Sequence, residues 1–305
     1  MKKIICILIM TLILFSIASC AKNEAENETD IPDSNVSDDV VGDDPSKTPA
    51  TTPEAPGTTI VPEDTKPTLP PKPQGSLEII ALADSMNVDT SLTGFTLDGI
   101  LEDTQLHLSS DAGDEYQNRT AYLGDSVSLG LGVFGNHPKE MVIAKGSINP
   151  MDAVEKNLIT LDDGTSVNFP TALSMIDADR AVLTFGANAI SVMSEETFLN
   201  YYIKLIHAVK EKNPNCQIII QSISPIATTC TFKKFTNVLI NRSNLLLLIL
   251  AYSEDLYFLN SAPALKGEDG YLKLEYCSSD DGIHINELGY SIWIDFLRTH
   301  PIASE

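Results

Sequence analysis

The stretch Thr120-Ala121-Tyr122-Leu123-Gly124-Asp125-Ser126-Val127-Ser128-Leu129 decides how this chain is read. It opens with a short, continuously apolar run that stops at a glycine and turns helix-like at Val127. Strands buried on both faces of a parallel sheet read in this way. Four further runs repeat the theme. Met141 to Ala144 precedes Lys145-Gly146, and Ala181 to Phe185 ends at Gly186. Cys216 to Gln221 is bounded by Asn213-Pro214-Asn215 and by Ser222-Ile223-Ser224-Pro225, and Leu256 to Leu259 is the fifth.

Helical patterns lie between these runs. Ser194 reads as an N-cap, with Glu195 and Glu196 in the first turn. Phe198, Tyr202, Leu205, Ile206 and Val209 then share a face, and Lys210 and Lys212 close the helix before Asn213-Pro214. Phe232 to Tyr252 reads as a second, strongly apolar helix, its Leu245–Leu250 run too short to span a membrane. Asn286 is placed to cap a last helix, Glu287 to Arg298, along which Leu288, Ile292 and Phe296 form a stripe and Trp293 packs on the sheet. Alternating strands and helices predict an α/β fold, a three-layer α/β/α sandwich on a five-stranded parallel sheet. Residues 77–118 carry only a weak pattern.

Outside this domain the composition changes. Of 17 prolines, ten fall between Ala21 and Gly75, a segment with 12 acidic and 4 basic residues and little apolar content. Such a segment cannot bury enough surface to offset its ordering entropy, so residues 21–75 are expected to be a disordered, self-repelling stalk. Residues 76–305 then make one domain with a full core. The whole chain carries −22; with +2 on the leader and −8 on the stalk, the domain carries −16. That balance excludes nucleic-acid binding, which needs clustered Lys and Arg, and disfavours steering of an anionic substrate.

The N-terminus, Met1-Lys2-Lys3 followed by an apolar run from Ile4 to Ala18, has the order of a secretory signal. It ends Ile17-Ala18-Ser19-Cys20, which resembles the lipobox of bacterial lipoproteins. The resemblance implies a lipoprotein signal segment, residues 1–20, that ends at the lipobox Cys20, with cleavage at the bond before Cys20, acylation of the Cys20 thiol, and anchorage at the extracytoplasmic face of a membrane. Of five cysteines, Cys216, Cys230 and Cys277 lie in the domain; one disulfide or three free thiols both fit. Their spacing is not that of a metal site, and no metal or cofactor is expected.

Ligands of open α/β sheets sit beyond the C-terminal ends of the strands, so the residues directly after each run matter most. Ser126 follows the first run at a strand-to-helix turn, where the helix N-terminus favours developing negative charge. Gly146 follows the second and can present its N–H to an oxyanion. Asn188, in Gly186-Ala187-Asn188, offers a side-chain N–H after the third. Asp281-Gly282-Ile283-His284 puts a carboxylate three residues before an imidazole, the pairing a serine nucleophile requires of its base. His107, His137, His207 and His300 lack such neighbours and read as surface or helix residues. The Gly130, Gly132 and Gly135 cluster is not a dinucleotide fingerprint and reads as a flexible wall near Ser126.

Taken together, Gly-Asp-Ser, Gly, Gly-x-Asn and Asp-x-x-His resemble, in order, the four blocks of the SGNH (GDSL-type) hydrolase superfamily. The resemblance runs from Ala121 to the C-terminus. It implies a flavodoxin-like sandwich in which Ser126 is the nucleophile, His284 the base and acid, and Asp281 its orienting carboxylate. The Ser126 N–H, the Gly146 N–H and the Asn188 side chain would form the oxyanion hole. It also implies cofactor-free hydrolysis of esters, such as O-acetyl groups on carbohydrates. One block departs from the pattern: Ala189 stands where the family has Asp, which puts the local loop support in question more than the chemistry. The expectation is therefore a serine esterase of an acetylated carbohydrate or small ester, anchored through Cys20 and, with its long stalk, monomeric. The alternatives are an O-acetyltransferase with the same triad and a non-catalytic glycan-binding lipoprotein.

Overall fold

The computed structural model describes residues 69–278 and 281–303. The leader, Cys20 and the stalk as far as residue 68 lie outside the described residues. The last seven stalk residues do not. Tyr252 donates its hydroxyl to the Pro70 carbonyl at 2.5 Å, Lys72 pairs with Asp255, and the Gln74 N–H donates to Glu78 Oε2 at 2.8 Å. The described body thus begins at Leu69 rather than at Ser76.

In chain order the helices and strands are α1 (Ser76–Ser85), α2 (Gly113–Asn118), β1 (Thr120–Gly124), α3 (Ser126–Phe134), β2 (Val142–Ala144), α4 (Pro150–Glu155), β3 (Ile159–Thr160), β4 (Ser166–Val167), α5 (Phe169–Leu173), β5 (Arg180–Thr184), α6 (Glu195–Lys212), β6 (Gln217–Gln221), α7 (Asn237–Ser253), β7 (Tyr257–Leu259), α8 (Ala262–Leu265) and α9 (Glu287–Thr299). Five strands form one parallel sheet in the order β2-β1-β5-β6-β7. The five apolar runs of the sequence are these five strands, shifted by a residue at some ends. A separate two-stranded antiparallel ribbon, β3 with β4, closes through a turn at Gly164 (φ 82°).

Alternation along each strand builds both faces of the sheet. Ala121, Leu123, Ala181, Leu183, Ile218, Ile220 and Phe258 point to one core, against α1, α4, α5, α6 and α7. Tyr122, Val182, Ile219 and Leu259 point to the other, against α3, α8 and α9. The result is the expected α/β/α sandwich. α6 forms as its sequence requires: Ser194 accepts from the Thr197 N–H at 3.2 Å, and Phe198, Leu199, Tyr202, Leu205, Ile206 and Val209 are buried. Trp293 is buried in α9 on the sheet side, its Nε1 donating to Ser261 at 3.0 Å.

α7 starts at Asn237, not at Phe232. Thr236 caps it, accepting from the Leu239 N–H at 3.2 Å. The preceding Phe232–Phe235 form a tight turn, closed by the Phe235 N–H on the Phe232 carbonyl at 2.9 Å. Within this apolar helix, Asn237 and Asn244 are buried for a reason. Asn244 accepts from the Ile223 N–H (2.7 Å) and donates to its carbonyl (3.1 Å). Asn237 does the same for Ile226 (2.9 and 2.8 Å). The two side chains satisfy the backbone of the loop leaving β6, which would otherwise be buried unpaired. Among the described residues no helix is long and apolar enough to cross a membrane.

Candidate active site

The C-terminal ends of β1, β2, β5 and β6 and the loop before α9 converge on one region. Three of the side chains marked in the sequence meet there. His284 Nε2 lies 2.9 Å from Ser126 Oγ, and His284 Nδ1 lies 2.7 Å from Asp281 Oδ2. A carboxylate can only accept, so Nδ1 carries the ring hydrogen and Nε2 is left to accept from the Ser126 hydroxyl.

Ser126 owes its position to the sheet. Asp125, buried between β1 and α3, caps the helix by accepting from the Val127 N–H at 3.0 Å. A Cβ on Gly124 would overlap the hydroxyls of Ser128 and Thr184, which bond to each other, while Thr184 also donates to the Leu123 carbonyl at 3.1 Å. Tyr290, from α9, donates to the Val127 carbonyl at 2.6 Å and ties the two helices of the site together. Its ring also fills the space beside Gly130, and Gly132 packs on Val142. Gly130 and Gly132 are therefore helical contact points of α3; the expected flexible wall is not formed by them.

The His284 loop is built locally. Asp281 Oδ1 accepts from the Ile283 N–H (2.7 Å) and the His284 N–H (3.1 Å), which leaves Oδ2 for the imidazole. Gly282 has φ 71° and lies so close to the Cys230 backbone that a side chain would not fit. The Ser278 N–H donates to the His284 carbonyl at 2.9 Å, and the Ala227 N–H to the Gly282 carbonyl at 2.8 Å. Asn286 caps α9, accepting from the Gly289 N–H at 3.0 Å. Cys230 and Cys277, which flank this loop, are free thiols, as is Cys216.

Charge at the site follows from these contacts. Burial raises the Asp281 carboxyl, but the hydrogen bonds from the His284 ring and from two backbone N–H groups outweigh it and hold it at about 2. Burial pushes Asp125 up to about 6, against the pull of the Val127 N–H and the Asn188 amide. Asp281 is thus an anion throughout the neutral range and Asp125 titrates just below it.

Asn188 donates through Nδ2 to Asp125 Oδ2 at 3.1 Å, which fixes the amide beside the Ser126 turn. Gly146 is exposed, two residues past Ala144, which pairs in register with Gly124, and nothing crowds its Cα. Ala189 is fully buried, and its loop is closed by backbone bonds: the Ala189 and Ile190 N–H groups donate to the Gly186 carbonyl at 2.8 and 3.1 Å. The loop is thus held by backbone bonds around a buried apolar residue. A cavity of about 20 Å³, among Asp125, Gly186, Ile223, Phe235, Ile283 and Trp293, lies against the Ser126 turn.

The other histidines stay away from the site. His207 faces Glu254 at the surface, and His107 is exposed. His137 is not a surface residue: it is 4 % exposed, bonded through Nε2 to the Thr120 carbonyl at 2.9 Å and set edge-on to Tyr122, and burial pushes its imidazole down to about 4. Among the described residues no group of three His, Cys, Asp or Glu is placed to hold a metal ion. Sequence reading missed Thr184, Tyr290 and the Asn237/Asn244 pair, which position the site without touching its chemistry. The stripe read along α9, Leu288, Ile292 and Phe296, is not its buried face: Leu288 is 50 % exposed, and Tyr290, Trp293, Ile294 and Leu297 are the residues that pack inward, so nothing in the sequence marked Tyr290 as a partner for α3.

No family model matches the chain, and no curated protein does. Solved structures do. A GDSL-like lipase from Bacteroides thetaiotaomicron shares 16% identity at a TM-score of 0.42, over 61% of this chain and 88% of that one. The lipase/acylhydrolase of Enterococcus faecalis shares 14% at 0.41, over 58% and 91%. A carbohydrate esterase family 3 protein from Talaromyces cellulolyticus shares 12% at 0.39, over 58% and 92%. These likenesses are too distant to assign a role to any residue, so function has to be read from the site itself.

Proposed function

We propose that the chain is a serine ester hydrolase of the SGNH type, working through Ser126, His284 and Asp281. The observation that carries this reading is the continuous hydrogen-bonded line Asp281–His284–Ser126, with contacts of 2.7 and 2.9 Å. Ser126 Oγ attacks the ester carbonyl as His284 Nε2 takes its proton. The Asp281 carboxylate stabilises the imidazolium so formed. The tetrahedral oxyanion is met by the Ser126 N–H at the start of α3, the Gly146 N–H and the Asn188 amide, one of whose two hydrogens is engaged by Asp125. His284 returns the proton to the departing alcohol, and the acyl group stays on Ser126. Water, deprotonated by the same imidazole, then releases the acid and restores the hydroxyl.

The charge-then-apolar leader and Cys20 support a lipid-anchored, extracytoplasmic enzyme. The test is turnover of para-nitrophenyl acetate at neutral pH by the wild type and by Ser126→Ala. Loss of at least about 10³-fold in kcat/KM, with the variant folded, is the expected result. Turnover that survives the substitution contradicts the role given to Ser126.

A further inference from the structure

We propose that a groove beside the Ser126–His284 pair selects esters that carry an anionic group next to an apolar body, and that Lys233 and Lys234 read that charge. The inference rests on the ester-hydrolase reading above and names a substrate feature for it.

The groove has a volume of about 440 Å³ and is lined in part by Asn188 and by Ile283, the neighbour of His284 in the chain, so it adjoins the site. Its walls are apolar where a protein surface seldom is. Val192 is 76 % and Phe232 61 % exposed, and both line it together with the buried Phe235. A single exposed apolar side chain is ordinary; two large ones lining one concavity that adjoins the site mark a binding surface. Lys233 and Lys234 line the same groove, on the tight turn that Phe232–Phe235 make before α7. Its described lining residues include no carboxylate.

What sets these two cations apart from the other lysines is their place on the wall of the groove. The domain carries a large negative charge, and each of its four arginines, Arg119, Arg180, Arg242 and Arg298, is paired with a carboxylate. Lys233 and Lys234 have no such partner among the described residues. An anionic group on the substrate would supply one. The overall charge repels anions at long range, but an ester held in the groove meets the two ammonium groups within the screening length, where the local sign decides. Apolar walls with cations among them suit an aryl or short hydrocarbon body bearing a carboxylate or similar anion, and disfavour a cationic ester.

The test uses the full chain and three acetate esters: neutral para-nitrophenyl acetate, anionic para-acetoxybenzoate and a cationic para-trimethylammonio-phenyl acetate. Their kcat/KM values are measured for the wild type, for Lys233→Glu/Lys234→Glu, and for Lys233→Gln/Lys234→Gln as a milder pair. The anionic-to-neutral ratio is expected to fall about tenfold on charge reversal and by less on neutralisation, while the cationic-to-neutral ratio rises. Added salt should lower the anionic-to-neutral ratio of the wild type and leave that of the reversed variant unmoved or raised. Ratios equal in wild type and both variants overturn the groove assignment while leaving the esterase reading intact. Failure of the folded wild type to hydrolyse any of the three overturns the esterase reading, and the groove proposal falls with it.

Discussion

Ser126 and His284 meet across 2.9 Å, yet they are held there by opposite means. Ser126 sits on a turn clamped by the sheet: β1 is buried from end to end, Asp125 is 1 % exposed, and the hydroxyls of Ser128 and Thr184 close over Gly124. His284 sits on a half-exposed loop whose shape comes from its own residues, with Asp281 bonding two N–H groups and the ring within three positions. One partner is thus fixed by tertiary packing and the other by local turn chemistry. Damage to the Ser126 turn should reach the whole fold, while damage to the His284 loop should reach activity and little else.

The largest effect expected is on the loop side. Asp281→Asn keeps the turn's shape but removes the negative charge and favours the wrong tautomer, so kcat/KM should fall by about 10³–10⁴-fold. The Tm should fall only modestly, because Asn keeps the two backbone hydrogen bonds and the lost charge is partly screened by solvent; a drop in Tm as large as that of a packing defect would break the contrast between the two regions. The Ser126 side answers differently. Gly124→Ala forces a Cβ into two hydroxyls and should cost roughly 1–3 kcal/mol of stability, with activity lost alongside it. Equilibrium unfolding in denaturant measures this directly, and an unchanged midpoint would contradict the packing described. Gly282→Ala repeats the experiment on the loop. At φ 71° and against the Cys230 backbone, a methyl should displace the loop and lower kcat by about 10–100-fold, with global stability changed by no more than about 1–2 kcal/mol.

The smallest effect is a pH dependence that separates the two carboxylates. Asp125, raised to about 6 when folded against an ordinary value near 3.9, binds its proton more tightly in the native state. Its charge therefore costs stability increasingly as pH rises from about 4 through 6. Relative to wild type, Asp125→Asn should gain about 1 kcal/mol of stability between pH 5 and pH 8. Asp281, lowered to about 2, works in the opposite sense: its contribution is present above about pH 4 and is lost as pH falls toward 2. Unfolding midpoints from about pH 2 to 8 for wild type, Asp125→Asn and Asp281→Asn test both signs.

The same contrast explains what could be read from the sequence. The five strands were legible because parallel strands are apolar on both faces and end in turn residues; Gly124 ends one, and Gly146 and Gly186 follow two others. Asp281 and His284 were legible because their relation is local, three residues apart. Where tertiary contacts decide, the sequence was silent. Phe232–Phe235 looks like the first turn of α7, but Thr236 takes the cap and leaves those aromatics to line a groove. His137 lacks any neighbouring motif and is buried by a contact with Thr120, 17 residues away. The glycines of α3 read as flexibility, though Gly130 is small because Tyr290 lies against it. The β3–β4 ribbon did leave a signal, Asp163-Gly164 between two short β-branched segments, of the kind that marks a hairpin.

The account stands on Ser126 being activated by His284. Labelling with a small alkyl fluorophosphonate, read by mass spectrometry of the intact protein and its peptides, tests that most directly. One adduct on the peptide containing Ser126, lost in Ser126→Ala and strongly slowed in His284→Ala, is the result predicted. A folded wild type that takes no label, or an adduct that persists in Ser126→Ala, would contradict it.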